Sequence, residues 1–408
     1  MRVSDKMIFS AITDRMRRQQ ESIFRIQEQI STGKKVNRPS DDPVNQAGII
    51  GSEKTLSEID QFIRNNDQAD ASLSLSETVL QTMEDQLIRT RELALLAAND
   101  TNSAVDRANI AKEVRQIYDH IVSLANTSQG GRYIFAGNET GTVPFLQKGD
   151  YIAGPLPALP ITITAAVNDQ LSLSLDGITS TVTLTPGTYN TGAALAGMIQ
   201  TVINADTTFQ TASVSATVTF DTTAPAHLVV QSNAVGGGSS ANITGGTARA
   251  AIETLAGTSR AVGSYLGDSG EARIAIDQNH TIIKNLPGDR LIKGAFGGTD
   301  VLAAVAGLQL ALESNAPAGI QTALSSLNGA SDQVSNERVL LGARLNRVTT
   351  TTAALEDFKS VTIRLKSEQE DVDIATAVSE LVFEENALEI SRSLASRIFN
   401  MSLMDFLR

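Results

Sequence analysis

The spacing of apolar side chains along this chain changes twice, and those two changes restrict what it can fold into. In the first thirty residues Phe9, Ile12, Met16, Ile23, Ile26 and Ile30 recur every three or four positions, the repeat of one helix face. Ser31-Thr32-Gly33-Lys34-Lys35 interrupts the repeat. Asn37-Arg38-Pro39-Ser40-Asp41-Asp42-Pro43 then reads as a loop, because two prolines and several side chains that bond their own backbone crowd into it. Helical spacing returns from about Pro43 to Asn99, with Leu73, Leu80, Met83, Leu87 and Ala94 on one seam. After a turn at Asn99-Asp100-Thr101-Asn102-Ser103, Ser103 can cap a further helix that carries Asp106 in its first turn. That helix runs to about Asn126 through Val114, Ile117, Ile121 and Leu124.

The period then falls to two. Residues 151–248 contain no Lys or Arg and are rich in Thr, Ser, Val, Ala and Gly. Ile161-Thr162-Ile163-Thr164, Leu171-Ser172-Leu173-Ser174-Leu175 and Thr181-Val182-Thr183-Leu184-Thr185 alternate as half-buried strands do. Asp176-Gly177 is a hairpin signal. Residues 192–204, with Leu195, Ile199, Val202 and Ile203, predict a short helix. Val214 to Phe220 and Leu228-Val229-Val230 resume strand, and Val235 to Ser240, holding three consecutive glycines, predicts a loop. From about residue 299 the helical period is back. Val301 to Leu312 is one helix, Ala318 to Leu365 a helical region broken once or twice, and Asp371 to Leu407 a last helix with Ile374, Val378, Leu381, Leu388, Ala395 and Ile398 in register.

Helix, strand, helix implies an α+β fold: an elongated antiparallel helical bundle formed by the N- and C-terminal arms, with an inserted β-rich domain. The expected parts are terminal amphipathic helices (1–42 plus 372–408), a helical shaft (43–136 plus 299–371) and the inserted domain (137–298). Met7, Ile8, Phe399, Met401, Leu403, Met404, Phe406 and Leu407 add apolar surface beyond one seam. A lone stripe does not offset the ordering of a thirty-residue segment, so both ends are expected to order when neighbouring subunits cover them. A plain helical hairpin in a monomer is the alternative. The expected assembly interface is Phe9, Ile12, Met16, Ile23 and Ile30 with Ile374, Val378, Leu381, Leu388, Ile398, Leu403, Phe406 and Leu407.

Composition narrows the function. With 33 Lys and Arg against 45 Asp and Glu the net charge is −12. Without basic blocks the chain is a poor partner for nucleic acid or for an anionic membrane surface. Aromatic residues are only 4%, which disfavours a ligand pocket. Cysteine is absent, which fits either a cytosolic protein or one exported unfolded. Met1 to Gln20 has no apolar core or small-residue cleavage site, so no conventional signal peptide is expected. The histidines His120, His227 and His280 are scattered, and no cofactor or metal site is expected. Gly236-Gly237-Gly238 and Gly294-Ala295-Phe296-Gly297-Gly298 lack the Lys-Ser/Thr of a phosphate loop. The β-rich block offers only Asp169, Asp176, Asp206, Asp221 and His227 besides its tyrosines, too little for an enzyme.

Several of these stretches resemble the bacterial flagellin family. Met1-Arg2-Val3-Ser4, Ser31 to Val36 and Asn37 to Pro43 resemble its N-terminal region, with Asn37, Arg38, Pro39, Asp41, Asp42 and Pro43 as motif residues. Arg89-Thr90-Arg91-Glu92-Leu93-Ala94 and Asn99-Asp100-Thr101-Asn102 resemble its next segment, including Arg91, Glu92 and Leu93. Asp371-Val372-Asp373-Ile374-Ala375 resembles the start of its last helix. Gly131-Arg132-Tyr133-Ile134-Phe135-Ala136-Gly137 with Pro144-Phe145, Tyr265-Leu266-Gly267-Asp268, and the ending Ser402-Leu403-Met404-Asp405-Phe406-Leu407 are more similar to members that join hook to filament than to filament flagellins; Tyr133, Phe135 and Gly137 are the motif positions there. Residues 158–204 resemble the small insert of flagellins and filament-cap proteins. The resemblance implies export through the flagellar type III apparatus to an extracellular place in the flagellum. It implies self-association into a ring between the first hook-associated junction protein and flagellin. It also implies an export chaperone at the C-terminal helix, and neither nucleic acid nor membrane as partner. Filament-forming flagellin is the alternative role. For Arg89, Arg91 and Glu92 the resemblance implies a packing face, and plain surface ion pairing is the competing reading.

Overall fold

The computed structural model describes the backbone of residues 2–99 and 101–406, and the side chains of residues 7, 10–99 and 101–396. The chain forms two compact units, Met1–Asn66 with Thr350–Arg408, and Asp67–Thr349. The first holds α1 (Arg2–Thr32), the beginning of α2 (Pro43–Ala97), the end of α9 (Pro317–Glu370) and α10 (Ile374–Phe406). Helix α1 stops where Gly33 takes the left-handed conformation (φ 74°) and its N–H donates back to Gln29 O at 2.9 Å, the usual glycine termination. Asp42 opens α2, accepting from the N–H groups of Val44 (3.1 Å) and Asn45 (3.0 Å), with Pro43 at the first helical position. Helices α1 and α10 pack antiparallel. Their near ends are joined by a two-bond bridge, from Lys35 N–H to Glu370 O (2.6 Å) and Val372 N–H to Gly33 O (3.0 Å).

In the second unit the rest of α2 packs with α3 (Ala104–Ala125), α8 (Val301–Glu313) and the first part of α9. The seam Leu73, Leu80, Met83, Leu87 and Ala94 is buried as its spacing predicts, as are Val114, Ile117 and Ile121. Ser103 and Asp106 close a reciprocal capping box on α3. Arg107 is buried and holds the end of α2, donating to Ala97 O (3.0 Å), Asn99 O (3.3 Å) and Asn315 Oδ1 (2.6 Å). Arg338 on α9 reaches two acids of α2, Glu77 at 2.7 Å and Glu84. The helical region expected to be broken once or twice is one unbroken α9. Ile320, Leu327, Val334, Leu341 and Val348 recur every seven residues on its buried face. A sustained heptad seam carries a helix through isolated glycines, and a Cβ on Gly329 would come within 2.8 Å of Thr299 Oγ1.

The inserted block has its own core. Strands β5 (Gln170–Leu175) and β6 (Ile178–Thr183) turn at Asp176-Gly177, both left-handed (φ 52° and 81°). Leu171, Leu173 and Leu175 point inward from β5. These strands form a sheet with β10 (Ala241–Gly245), in the order β10-β5-β6. A second sheet runs β11-β3-β9-β8, from Thr258–Arg260, Asp150–Ile152, His227–Ser232 and Ala216–Asp221, and α4 (Gly192–Ala205) packs on β8. Strands β4 (Ile161–Ile163) and β7 (Gly187–Tyr189) form a small ribbon, as do β1 (Ser128–Gln129) with β2 (Arg132–Tyr133) and β12 (Arg273–Ala275) with β13 (Thr281–Ile283). Short helices α5 (Thr207–Thr211), α6 (Arg249–Ile252) and α7 (Gly288–Leu291) complete the order.

The glycine run is a docking surface as well as a loop. A Cβ would lie 2.4 Å from Asp119 Oδ1 at Gly236, 3.0 Å from the Tyr118 ring at Gly237, and 2.7 Å from an Arg115 guanidinium nitrogen at Gly238. Three successive side chains would hold this loop off α3. The flanks of the block join the helical core instead of the β core: Ile134, Phe135, Phe145, Val262, Ile282 and Ile292 are buried there.

Because the two cores of the second unit are separate, a cavity in one is expected to weaken that one. Leu173→Ala should cost about 2–5 kcal/mol in the unfolding of the inserted block, measured by denaturant titration, with the helical transition unmoved.

Candidate assembly surface

Helices α1 and α10 share one seam. On α1 it is Ile12, Met16, Gln19, Ile23, Ile26 and Ile30; on α10 it is Ala377, Leu381, Glu384, Leu388, Ser391 and Ala395. Both sets step by four and three, the a/d pattern of a coiled coil. Ile23, Ile26, Ala377 and Leu388 are buried and the others half-buried. The stripe expected on α10 is therefore divided. Leu381, Leu388 and Ala395 face α1, whereas Ile374 and Val378 lie outside the seam and are exposed. The small residues Ala377, Ser391 and Ala395 let the two helices approach, so the seam settles on their face. The side chains of Phe9, Ile398, Leu403 and Phe406, and the whole of Leu407, lie outside the described residues.

Off the seam α10 carries a second apolar feature, which the three–four spacing hid. Ile374, Val378, Val382, Ile390 and Leu394 lie on one i+4 row, interrupted by Asn386 between Val382 and Ile390, and Phe383 lies beside it; all six apolar residues are between 42% and 71% exposed. Each step of four advances about 40° around a helix, so the row is an oblique ridge of the kind that fills a groove on another helix. On α1, Phe24 (70%) and Met7 (67%) are also exposed. The signal was present in the sequence: large apolar residues on α10 that fit no single seam.

The loop beside this hairpin is built by its polar side chains. Asp41 Oδ2 accepts from Asn37 N–H (3.1 Å) and Arg38 N–H (2.8 Å), and Asn37 Nδ2 donates to Lys34 O (3.0 Å). Arg38 reaches back to Glu28 at 3.0 Å. Lys34 and Lys366 both pair with Glu370, Lys366 also with Glu53 at 2.8 Å, and Lys359 with Asp60 at 2.7 Å. Asp42 is held below its ordinary carboxylate range by the Asn45 N–H it accepts from, and Asp373 by the Thr376 hydroxyl. Glu370 is also lowered: burial opposes the shift, and Lys34 and Lys366 outweigh it.

The motif residues of the second unit converge elsewhere. Phe135 and Phe145 are fully buried, and Phe145 stacks at a tilt on Tyr265 with ring centroids 5.1 Å apart. The Tyr265 hydroxyl lies 2.7 Å from Asp268 O and 3.0 Å from Phe135 O, and burial pushes it up to about 12. Gly137 is left-handed (φ 71°), and a Cβ there would sit 2.0 Å from Asp268 Oδ1. Asp268 Oδ1 accepts from Asn138 N–H (2.6 Å) and Gly270 N–H (3.0 Å). Tyr133 is half-buried on β2. These distant stretches thus form one joint between the helical core and the chain entering and leaving the inserted block. Arg89 bridges Glu92 (3.2 Å) on α2 and Glu113 (2.8 Å) on α3; Arg91 and Glu92 are exposed, and Leu93 is buried.

Among the described residues no cluster of acids and histidines could hold a metal ion, and no helix is long and apolar enough to cross a membrane. His280 contacts Asp277 at 2.8 Å and His227 lies 3.8 Å from Asp221, both local pairs.

Two family models match this chain: the bacterial flagellin N-terminal helical region over residues 3–140 and the bacterial flagellin C-terminal helical region over residues 324–407. Together they cover more than half of it. The chain is 35% identical over 156 residues to the flagellar hook-associated protein 3 of Escherichia coli (strain K12), covering 38% of this chain and 49% of that one. It is 34% identical over 156 residues to the protein of the same name from Salmonella typhimurium, with the same coverage. The chain spans about half the length of these two relatives. A flagellin of Clostridium tyrobutyricum is 26% identical over 361 residues, covering 86% of this chain and 87% of that one.

Two outcomes follow from the geometry. Asp42 and Asp373 have lowered folded-state pKa values, so their contribution is complete above the ordinary value of 3.8 and is lost as pH falls below it. Acid titration followed by amide exchange should therefore loosen the starts of α2 and α10 below about pH 4, and Asp42→Asn should flatten that response at α2. Tyr265→Phe should cost about 1 kcal/mol in urea unfolding, because it removes a half-buried hydroxyl from two carbonyls.

Proposed function

We propose that this chain, which belongs to the bacterial flagellin family, is a structural subunit of the flagellum that joins hook to filament by self-association of its terminal helices. The carrying observation is the exposed apolar ridge on α10. It is too regular to be scattered surface residues, and it lies on the helix whose other face is already committed to α1. A neighbouring copy supplies the second helix that a ridge of this kind fits. The two hook-associated relatives support the junction role. The near full-length match to a flagellin favours the alternative, a filament subunit with the same terminal helices.

The remaining parts of the reading follow from self-association. A ring of copies would face the first hook-associated junction protein on one side and flagellin on the other. An export chaperone would cover the C-terminal helix until secretion, since α10 presents apolar surface before a neighbour arrives. The protein would work outside the cell, as a structural element with no catalytic step. Its termini would gain protection on assembly.

Val382→Asp with Ile390→Asp should weaken self-association at least about tenfold, the effect of charging the centre of an apolar contact. Thermal unfolding of the isolated chain should barely move, because both positions are exposed. Analytical ultracentrifugation reads the first and calorimetry the second; unimpaired assembly of the variant would remove the ridge from the interface. Hydrogen exchange should slow over residues 1–40 and 372–408 when copies assemble. Deleting the gene separates junction from filament. Bare hooks with flagellin shed into the medium are expected, and a hook still carrying a filament would reject the junction role.

A further inference from the structure

The part of α9 that belongs to the first unit is turned inside out. Lys359 and Lys366 pair with Asp60 (2.7 Å) and Glu53 (2.8 Å) of α2. Leu355, on the same face, is half-buried, and between residues 350 and 370 the buried side chains are Thr362 and Glu370. The apolar residues lie outside: Phe358, Val361, Ile363 and Leu365 are between 40% and 51% exposed, and Ala354 is exposed as well. A helix with one partner ordinarily does the reverse, burying its apolar stripe and leaving its lysines in solvent.

Four of the outward residues keep coiled-coil spacing. Ala354, Phe358, Val361 and Leu365 step by four, three and four, as the residues of a helix–helix seam do. Thr351 and Glu368 end the stripe. One flank presents Asp357 and Arg364, a full seven-residue repeat apart. Both are exposed, and among the described residues neither has an ion pair or a hydrogen bond. Opposite charges at equivalent positions of successive repeats are complementary to their own copy in one orientation. In an antiparallel pair centred between Lys359 and Ser360, Phe358 of each copy meets Val361 of the other and Leu365 meets Ala354. Asp357 then stands across from Arg364, twice by symmetry, and Thr351 across from Glu368. Packed parallel, Asp357 and Arg364 would face Thr362 and Gln369 of the other copy, and no ion pair would form.

We propose that two free copies of this chain pair antiparallel through this outward stripe of α9. The inference goes beyond the junction role and does not use the ridge on α10. The net charge of −12 does not forbid it. The contact brings two Asp to two Arg, its remaining acid, Glu368, meets a threonine hydroxyl, and charges elsewhere are largely screened beyond about 8 Å at physiological salt. The ion pairs are exposed and add little energy; they set the orientation, while four apolar side chains from each copy supply the attraction. A contact of this size is weak and reversible. A two-fold contact also closes on itself and cannot extend into a ring, so it holds copies that have not entered one.

The test uses the full chain carrying Val382→Asp with Ile390→Asp, which takes the ridge out of play. Sedimentation at rising concentration should still show a monomer–dimer equilibrium. Adding Phe358→Asp should weaken it about tenfold or more, as should Asp357→Arg or Arg364→Asp alone. Melting temperatures should stay level, because all three positions are exposed. An equal mixture of the Asp357→Arg and Arg364→Asp chains should pair again, since each supplies the charge the other lacks, and so should a chain carrying both substitutions. A dimer indifferent to these changes, or a mixture that stays monomeric, would overturn the proposal. If the ridge variant is monomeric at every concentration while the parent chain associates, the ridge reading survives and this one falls. If the ridge variant associates like the parent and the α9 substitutions abolish it, this inference stands and the ridge reading falls; if the parent chain never associates, both fall.

Discussion

A helix pair has one seam to share, and in this protein that seam is spent within the chain. Helix α10 gives α1 the face holding Ala377, Leu381, Leu388 and Ala395, and its large apolar residues off that face stay exposed. The seam is also modest. Gln19, Glu384 and Ser391 occupy positions where a self-sufficient coiled coil would carry large apolar residues, and Gln19 Oε1 is buried without a hydrogen-bond partner. Polar groups at such positions lower stability and help fix register. The hairpin is thus defined in geometry and weak in energy, the combination expected of an element completed by its neighbours.

The second unit solves a different problem, that of inserting a β-rich block between helices without weakening either. Each part keeps its own core, and the joins are made by close backbone approach. Glycines at 236, 237 and 238 admit Asp119, Tyr118 and Arg115 of α3. Gly137 admits Asp268, and Gly288 admits the Phe145 and Tyr265 rings, which a Cβ there would meet at 2.8 and 2.9 Å. Missing side chains cannot be replaced by compressible ones, since packed interiors yield little. The joints therefore combine close backbone approach with buried rings and aliphatic side chains, and within the block the buried acids Asp150 and Glu253 pair with half-buried Arg260 and Arg249.

How much of this was legible follows from the range of each interaction. The Ser103 cap, the Asp176-Gly177 turn and the alternation of β5 are local, and residues a few positions apart determine them. Strand β10 was missed because Ala241-Asn242-Ile243-Thr244-Gly245, though it alternates, is short and lies between glycine-rich stretches; it is a strand because β5, seventy residues earlier in the chain, offers an edge. The breaks expected in α9 are absent because the seven-residue seam carries the helix past Gly329 and Gly342. The motif residues pointed to the joint around Tyr265 only as separate stretches, since nothing in the sequence brings Phe135 to Asp268. The ridge on α10 is defined by what fails to cover it, and only the folded chain displays that.

Apolar contact is strong and non-directional, so a surface ridge alone cannot set the angle at which two copies meet. Register has to come from groups with geometry. Within the first unit that role falls to the loop between α1 and α2, where Asp41, Asn37 and Arg38 are fixed by hydrogen bonds, and to Glu370, which gathers Lys34 and Lys366. The Lys34–Glu370 pair, with the backbone bonds from Lys35 N–H to Glu370 O and from Val372 N–H to Gly33 O, ties the end of α1 to the segment that leads into α10. Any change in their pairing would rotate or slide α10 against α1, and every exposed apolar residue on it would move together. The polar loop thus bears on the apolar surface: in the association proposed here, burial would supply the energy and the charged network would fix which arrangement can use it.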